Sequence, residues 1–178
     1  RYWQEDLLGQ PYTKEIGKNL SRNYSQLVFD SVVQAPYVEG AVMTSEKHER
    51  ASDRCAEALG YIEKQDGIQY DIIVMVQGDE PMTHPDMVAE AVIPMLNDPK
   101  ILVSNLLGDI ETAEEFEDRN CIKVVCDQQS NAIYFSREPI PTRSKNTDIP
   151  MKKQVCIIPF TRKFLLEYTD LEPTPLEI

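Results

Sequence analysis

The chain has 178 residues, of which 42% are hydrophobic and 27% charged, and a formal net charge of −12. That composition suits one globular domain with a real core and excludes a disordered chain. The acidic balance argues against a nucleic-acid-binding face, but not against a nucleotide substrate, since phosphates normally arrive with Mg²⁺.

Residues 1 to 37 show no clean periodicity, and Gly17-Lys18 is too little for a phosphate loop. A solvated loop is expected there, with a short helix over Gln26–Val33, followed by a strand over Val38–Thr44. Cys55, Ala58, Leu59 and Ile62 recur at helical spacing and predict a helix over Ser52–Glu63. Ser52 and Asp53 suit its start, where side-chain oxygens and negative charge are favoured. Arg50 and Arg54 stand beside that start, either to meet an anion or simply as surface charges. Asp66-Gly67 closes this part of the chain.

Ile72–Val76 is a continuous, β-branched-rich apolar run, as expected of a strand buried on both faces in a parallel sheet. The chain then turns polar at Gln77-Gly78-Asp79-Glu80-Pro81, where Gly78 eases a tight turn and Pro81 stops the strand. Ligands of open α/β sheets bind beyond the carboxyl ends of strands, and a carboxylate there is a hard-oxygen ligand for Mg²⁺. An ordinary Asp/Gly turn is the competing reading.

After Pro81, Thr83 is expected to cap a helix carrying Val88, Ala91, Val92, Met95 and Leu96 and ending at Asn97-Asp98-Pro99. A strand follows over Ile101–Leu107, then a short acidic helix over Glu111–Phe116. Cys121–Cys126 and Ala132–Phe135 read as a hairpin, left through Ser136-Arg137-Glu138-Pro139-Ile140-Pro141. Arg143–Lys153 reads as a polar loop or flap, Gln154–Phe160 as a strand, and Arg162–Tyr168 as a helix. Alternating strands and helices predict a mainly parallel α/β sheet, with the hairpin as an antiparallel insertion.

The four cysteines, Cys55, Cys121, Cys126 and Cys156, include no C-x-x-C pair; three lie in apolar runs, and reduced, buried thiols are expected. His48 and His84 stand alone in sequence. With no signal peptide and no long apolar segment, a cytoplasmic protein is expected, with neither membrane nor nucleic acid as partner.

Several segments, in this order, carry a resemblance. They are Met43-Thr44-Ser45, Ala51-Ser52-Asp53-Arg54-Cys55-Ala56-Glu57-Ala58, Val76-Gln77-Gly78-Asp79-Glu80-Pro81 and Asn120-Cys121-Ile122-Lys123-Val124-Val125. Ala132-Ile133-Tyr134-Phe135-Ser136-Arg137-Glu138-Pro139-Ile140-Pro141 and Thr174-Pro175-Leu176-Glu177 complete the set. Together they resemble the 3-deoxy-manno-octulosonate cytidylyltransferase (CMP-Kdo synthetase) family over about residues 38 to 178. The resemblance implies a Rossmann-like nucleotidyltransferase fold: a mixed, mainly parallel sheet flanked by helices, in one domain short of the family pattern at both ends. It also implies a homodimer that uses Mg²⁺ and transfers CMP from CTP to an acidic sugar, with release of pyrophosphate.

By resemblance, Asp79 is the metal ligand and a catalytic residue, and Ser52, Asp53, Arg54 and Gln77 line the nucleotide. Arg137, catalytic and near the sugar-acid carboxylate, joins Gln154 and Glu177 on the acceptor side. Gln154 stands where many relatives carry histidine, and Ile158 where many carry tyrosine. A different acidic acceptor (another nonulosonic acid or a phosphonate) therefore stays open, as does a nucleotide-binding relative without turnover. No G-x-G-x-x-G occurs, which disfavours a dinucleotide-dependent dehydrogenase.

Overall fold

The computed structural model describes residues 42–78, 82–145 and 148–175. The expected helix over Gln26–Val33, most of the expected strand over Val38–Thr44, and the candidates Asp79 and Glu177 lie outside the described residues. The described residues fall into two compact units, one holding residues 42–70 and 82–83 and the other residues 71–78, 84–145 and 148–175.

The first unit is built on helix α1, Ala51–Asp66, which begins one residue before the expected start and runs three beyond the expected end. Its apolar positions turn Leu59 inward, 5% exposed, while Ile62 stays at the surface. The helix stops at Gly67, whose φ of 69° is a left-handed conformation that costs glycine nothing. The Gly67 N–H donates to Glu63 O at 2.9 Å and closes the last turn.

The second unit holds two sheets. Strand β1, Ile72–Val76, runs with β6, Ile157–Thr161, in a register from Ile72↔Thr161 to Val76↔Ile157. Residues 102–104 lie along the other side of β6, with Ser104 N–H donating to Pro159 O at 3.1 Å and Thr161 N–H to Leu102 O at 2.8 Å. Two helices cover this sheet: α2, Pro85–Asn97, packs on β6, and α4, Arg162–Thr169, on β1 and β6. The core lies here. Ile157 and Leu165 are fully buried, Met75, Ala91, Met95 and Phe160 nearly so. Phe160, Phe164 and Tyr168 add a ring cluster with centroids 6.0 to 6.4 Å apart.

The second sheet has the order β2-β5-β3-β4, formed by Leu106–Asp109, Lys152–Val155, Lys123–Cys126 and Ala132–Ser136. Helix α3, Ala113–Glu117, follows β2 and is capped by Thr112, whose hydroxyl accepts from Glu115 N–H at 3.1 Å. Gly108 lies opposite Lys153, and a Cβ there would stand 3.1 Å from Lys153 Cε. The missing side chain lets Lys153 lie flat and pair with Glu115, holding that carboxyl below its usual range.

The fold is mixed α/β, and the hairpin over 121–135 is present as expected. Every strand pairing among the described residues is antiparallel, where a mainly parallel sheet is expected from sequence. An apolar run reports burial on both faces, not the direction of its neighbour. The expected single strand Gln154–Phe160 is two strands that change sheets at Cys156. Its neighbour changes sheets alongside it at Asn105, so the expected strand Ile101–Leu107 begins only at Leu106. The α2 cap is His84, whose ring accepts from Asp86 N–H at 3.4 Å, rather than Thr83. Pro85, first in the helix, has no N–H to satisfy there.

Candidate active site

In the first unit, Ser52, Asp53 and Arg54 occupy the first turn of α1. Ser52 is buried, 6% exposed. Arg54 is turned back on the preceding loop: Nη1 donates to Thr44 Oγ1 at 3.2 Å and Ser45 O at 3.1 Å, and Nη2 to His48 O at 3.1 Å. Its role in the described residues is to fasten residues 44–48 to the helix. Glu57, one turn further, fastens the same loop by accepting from Ser45 N–H at 2.8 Å and contacting His48 Nε2 at 2.5 Å. The Ser45 N–H first, and His48 second, hold the Glu57 carboxyl below the usual carboxylate range.

Asp53 differs from both. Its Oδ2 lies 3.4 Å from Arg50 Nε, while Oδ1 is buried and has no hydrogen-bond partner among the described residues. A carboxylate oxygen only accepts, so this atom is an acceptor lacking a donor at the start of a helix. Partial burial also pushes up the Cys55 thiol on the same helix; all four cysteines, expected to be buried, are only half-buried.

In the second unit, Gln77 continues the β1–β6 ladder, its N–H donating to Cys156 O at 3.3 Å. The strand thus ends where the paired segment changes sheets at Cys156, with Asp79 two residues further along the sequence. Gln154 lies in β5, and its Nε2 donates to Asn105 Oδ1 at 2.6 Å. Asn105 Nδ2 donates in turn to Val155 O at 2.7 Å, so the amide pair stitches the place where both segments switch sheets.

Arg137 leaves β4. Continuing the β3–β4 register by one residue sets it opposite Ile122, whose carbonyl accepts from Gln154 N–H at 2.8 Å. Arg137 and Gln154 therefore flank Ile122 at one end of the sheet, about 10 Å apart by two strand spacings. The Arg137 guanidinium is exposed, and Nη1 donates to Arg119 O at 2.9 Å. The structure thus pairs Arg137 with Gln154 in one sheet, and Gln77 with the Cys156 crossing.

Two residues at these places escaped the sequence reading. Lys123 is fully buried, and Asn105 is the stitch just described. The signal for each is a polar residue inside an apolar run, Cys-Ile-Lys-Val-Val-Cys and Val-Ser-Asn-Leu-Leu. A surface cavity of about 190 Å³ beside α3, lined by Asp109, Thr112, Phe116 and Arg143 among others, contains none of the candidate residues. Among the described residues no cluster of three metal-ligating side chains occurs, and no helix is long and apolar enough to cross a membrane.

A family model described as cytidylyltransferase matches residues 25–178. The 3-deoxy-manno-octulosonate cytidylyltransferase of Geobacter metallireducens is 38% identical over 76% of this chain and 56% of its own length. That of Geotalea uraniireducens is 32% identical over 97% of this chain and 74% of its own length. The solved structure of CMP:2-keto-3-deoxy-manno-octonic acid synthetase complexed with CTP superposes with a TM-score of 0.67 at 29% identity, covering 84% of this chain and 68% of that one. The chain spans 56% and 61% of two of the curated relatives it matches, so it corresponds to little more than half of them. The nucleotidyltransferase fold expected from sequence is shared with the solved structure.

Proposed function

Because this chain belongs to the cytidylyltransferase family, we propose that it transfers CMP from CTP to the anomeric hydroxyl of an acidic sugar, 3-deoxy-manno-octulosonate. The observation that carries the reading is likeness over 97% of this chain to a curated enzyme of that name. In the step, the acceptor oxygen forms a bond to the α-phosphorus. The bond from that phosphorus to the bridging oxygen breaks, pyrophosphate leaves, and the hydroxyl proton passes to solvent. Such chemistry needs positioning and charge neutralisation more than a covalent nucleophile.

The residues divide that work. Ser52, Asp53 and Gln77 receive the nucleotide, while Arg54 holds the loop that precedes the helix. Arg137, with a planar fork suited to carboxylates, takes the sugar acid, and Gln154 and Glu177 join it on the acceptor side. Asp79 and Glu80, just past β1, have the donor chemistry for Mg²⁺, with Asp79 as the ligand. When bound, the cation neutralises the triphosphate and polarises the α-phosphate.

Pyrophosphate release with CTP and Mg²⁺, measured with and without 3-deoxy-manno-octulosonate, tests the reading. Release that requires the sugar acid supports it; release indifferent to every acidic sugar offered sinks it. A second reading, another acidic acceptor, is favoured by Gln154, whose amide is committed to Asn105. A panel of nonulosonic acids and phosphonates in the same assay separates the two.

The orphaned Asp53 oxygen gives a sharper expectation. An N–H or O–H of CTP is the donor it lacks, and a hydrogen bond to a charged group contributes about 1.5–3 kcal/mol. Asp53→Ala is therefore expected to weaken CTP binding by about tenfold or more, with a melting temperature unchanged or higher. Calorimetric titration beside a thermal melt checks both; a lower melting temperature with full CTP affinity would assign Asp53 to the fold alone.

The proposed assembly is a homodimer through β4. That edge strand carries Ile133, Tyr134 and Phe135 at 65%, 57% and 41% exposure. An exposed apolar edge is a ready surface for pairing. Sedimentation equilibrium is expected to give a dimer that Tyr134→Lys converts to monomer. A dimer indifferent to that change would place the interface elsewhere.

A further inference from the structure

We propose that Lys123 is a positioning residue for the acceptor, a buried clip that sets the guanidinium of Arg137. The proposal rests on the reading that Arg137 takes the acceptor carboxylate. Lys123 is 0% exposed, yet among the described residues no carboxylate pairs with it. Its ammonium instead donates to three backbone carbonyls: Asp118 O at 2.5 Å, Cys121 O at 2.9 Å and Arg137 O at 2.9 Å. An ammonium has three donors and no acceptor, so these bonds use all of its capacity. A buried charge costs heavily unless hydrogen-bonded, so the three carbonyls are held as firmly as the lysine itself.

These carbonyls belong to two segments that meet at the acceptor end of the sheet. Asp118 and Cys121 bracket the loop after α3, and Arg137 is the first residue beyond β4. Within the loop, Arg119 O accepts from Arg137 Nη1 at 2.9 Å, and Arg119 Nη2 pairs with Glu138 at 2.8 Å. Arg137 is thus held at both ends. Lys123 holds its carbonyl directly, and holds the loop whose Arg119 carbonyl orients its guanidinium. That single Nη1 contact leaves the other guanidinium donors for a carboxylate. A carboxylate beside Lys123 would satisfy the charge but fix only one segment; carbonyls from both segments join them.

Lys123→Met, Lys123→Gln, Arg137→Ala and the Lys123→Met/Arg137→Ala double variant test this. Loss of the clip is expected to raise KM for 3-deoxy-manno-octulosonate about tenfold or more, since misplacing a binding group by about 1 Å is costly. KM for CTP stays unchanged, and trypsin cuts the Arg137–Glu138 bond earlier than in the parent. In the Arg137→Ala background, Lys123→Met raises the acceptor KM no further. An additive increase there, or an equal rise in KM for CTP, gives Lys123 a general structural role and overturns the proposal. If Arg137→Ala alone leaves the acceptor KM unchanged, the acceptor role of Arg137 fails, and the proposal with it, whatever trypsin shows. Should neither lysine variant melt cooperatively, amide exchange in the unsubstituted protein decides. The sugar acid is then expected to slow the Cys121 and Glu138 amides together, and slowing of Glu138 alone overturns the clip.

Discussion

Asp79→Asn is expected to cut Mg²⁺-dependent pyrophosphate release by at least about 100-fold, while CTP binding measured without Mg²⁺ stays near the parent value. The substitution keeps the shape of the side chain and removes its charge and one anionic oxygen. A hard cation held by one or two carboxylates and by substrate phosphates loses much of its protein anchor when one carboxylate becomes an amide. Transition-state charge on the transferring phosphoryl group is then neutralised less well, and loss of one electrostatic stabiliser commonly costs about 10²–10³-fold. Titrating Mg²⁺ in the assay separates two outcomes. A higher Mg²⁺ requirement that recovers full rate assigns Asp79 to holding the cation. A loss that Mg²⁺ does not recover assigns it to the reacting geometry. Unchanged release would remove Asp79 from the site.

The parts of this architecture legible in sequence are those with local periodic or punctuation signals. Helix α1 is written in Cys55, Ala58, Leu59 and Ile62 and closed by Gly67, and it forms over nearly the expected span. The hairpin is written in two β-rich runs around Asp127–Asn131 and forms as expected; its ladder runs from Lys123↔Ser136 to Cys126↔Ala132, with a bulge. Strand direction was not legible. Ile72–Val76 signals burial, but its partner, β6, is fixed by 80 residues of intervening topology rather than by the run itself. The switch at Cys156 was hidden because apolar residues continue on both sides, and only the Asn105–Gln154 amide pair marks it in space.

The site was legible as residue types and not as contacts. Arg54 reads equally as an anion ligand or a surface charge; in the fold its three bonds go to the 44–48 loop. Lys123 reads as an oddity in a strand. Its partners are backbone carbonyls, which every residue possesses and which therefore leave no mark in sequence. Resemblance supplied Arg137 and Gln154, and the sheet register sets both beside Ile122.

The largest expected stability effect lies at Ile157, which is fully buried as the first residue of β6 after the switch of sheets. Ile157 pairs with Val76, and the preceding residue, Cys156, accepts from Gln77 N–H, so its packing sits directly behind the end of β1. Removing three carbons from such a position costs the transfer free energy of those groups and adds a cavity penalty, about 2–5 kcal/mol in all. Against a total of about 5–15 kcal/mol for a domain, that is a large fraction. Ile157→Ala is expected to lower the urea midpoint accordingly with an unchanged m-value, and Ile157→Val, about 0.5–1.5 kcal/mol, to fall between. A changed m-value would mean that the two sheets no longer unfold together. A cost below that of the valine variant would mean that the surrounding side chains collapse into the space. In that case the end of β1 is held by its backbone ladder rather than by side-chain packing, and Gln77 keeps its place without Ile157.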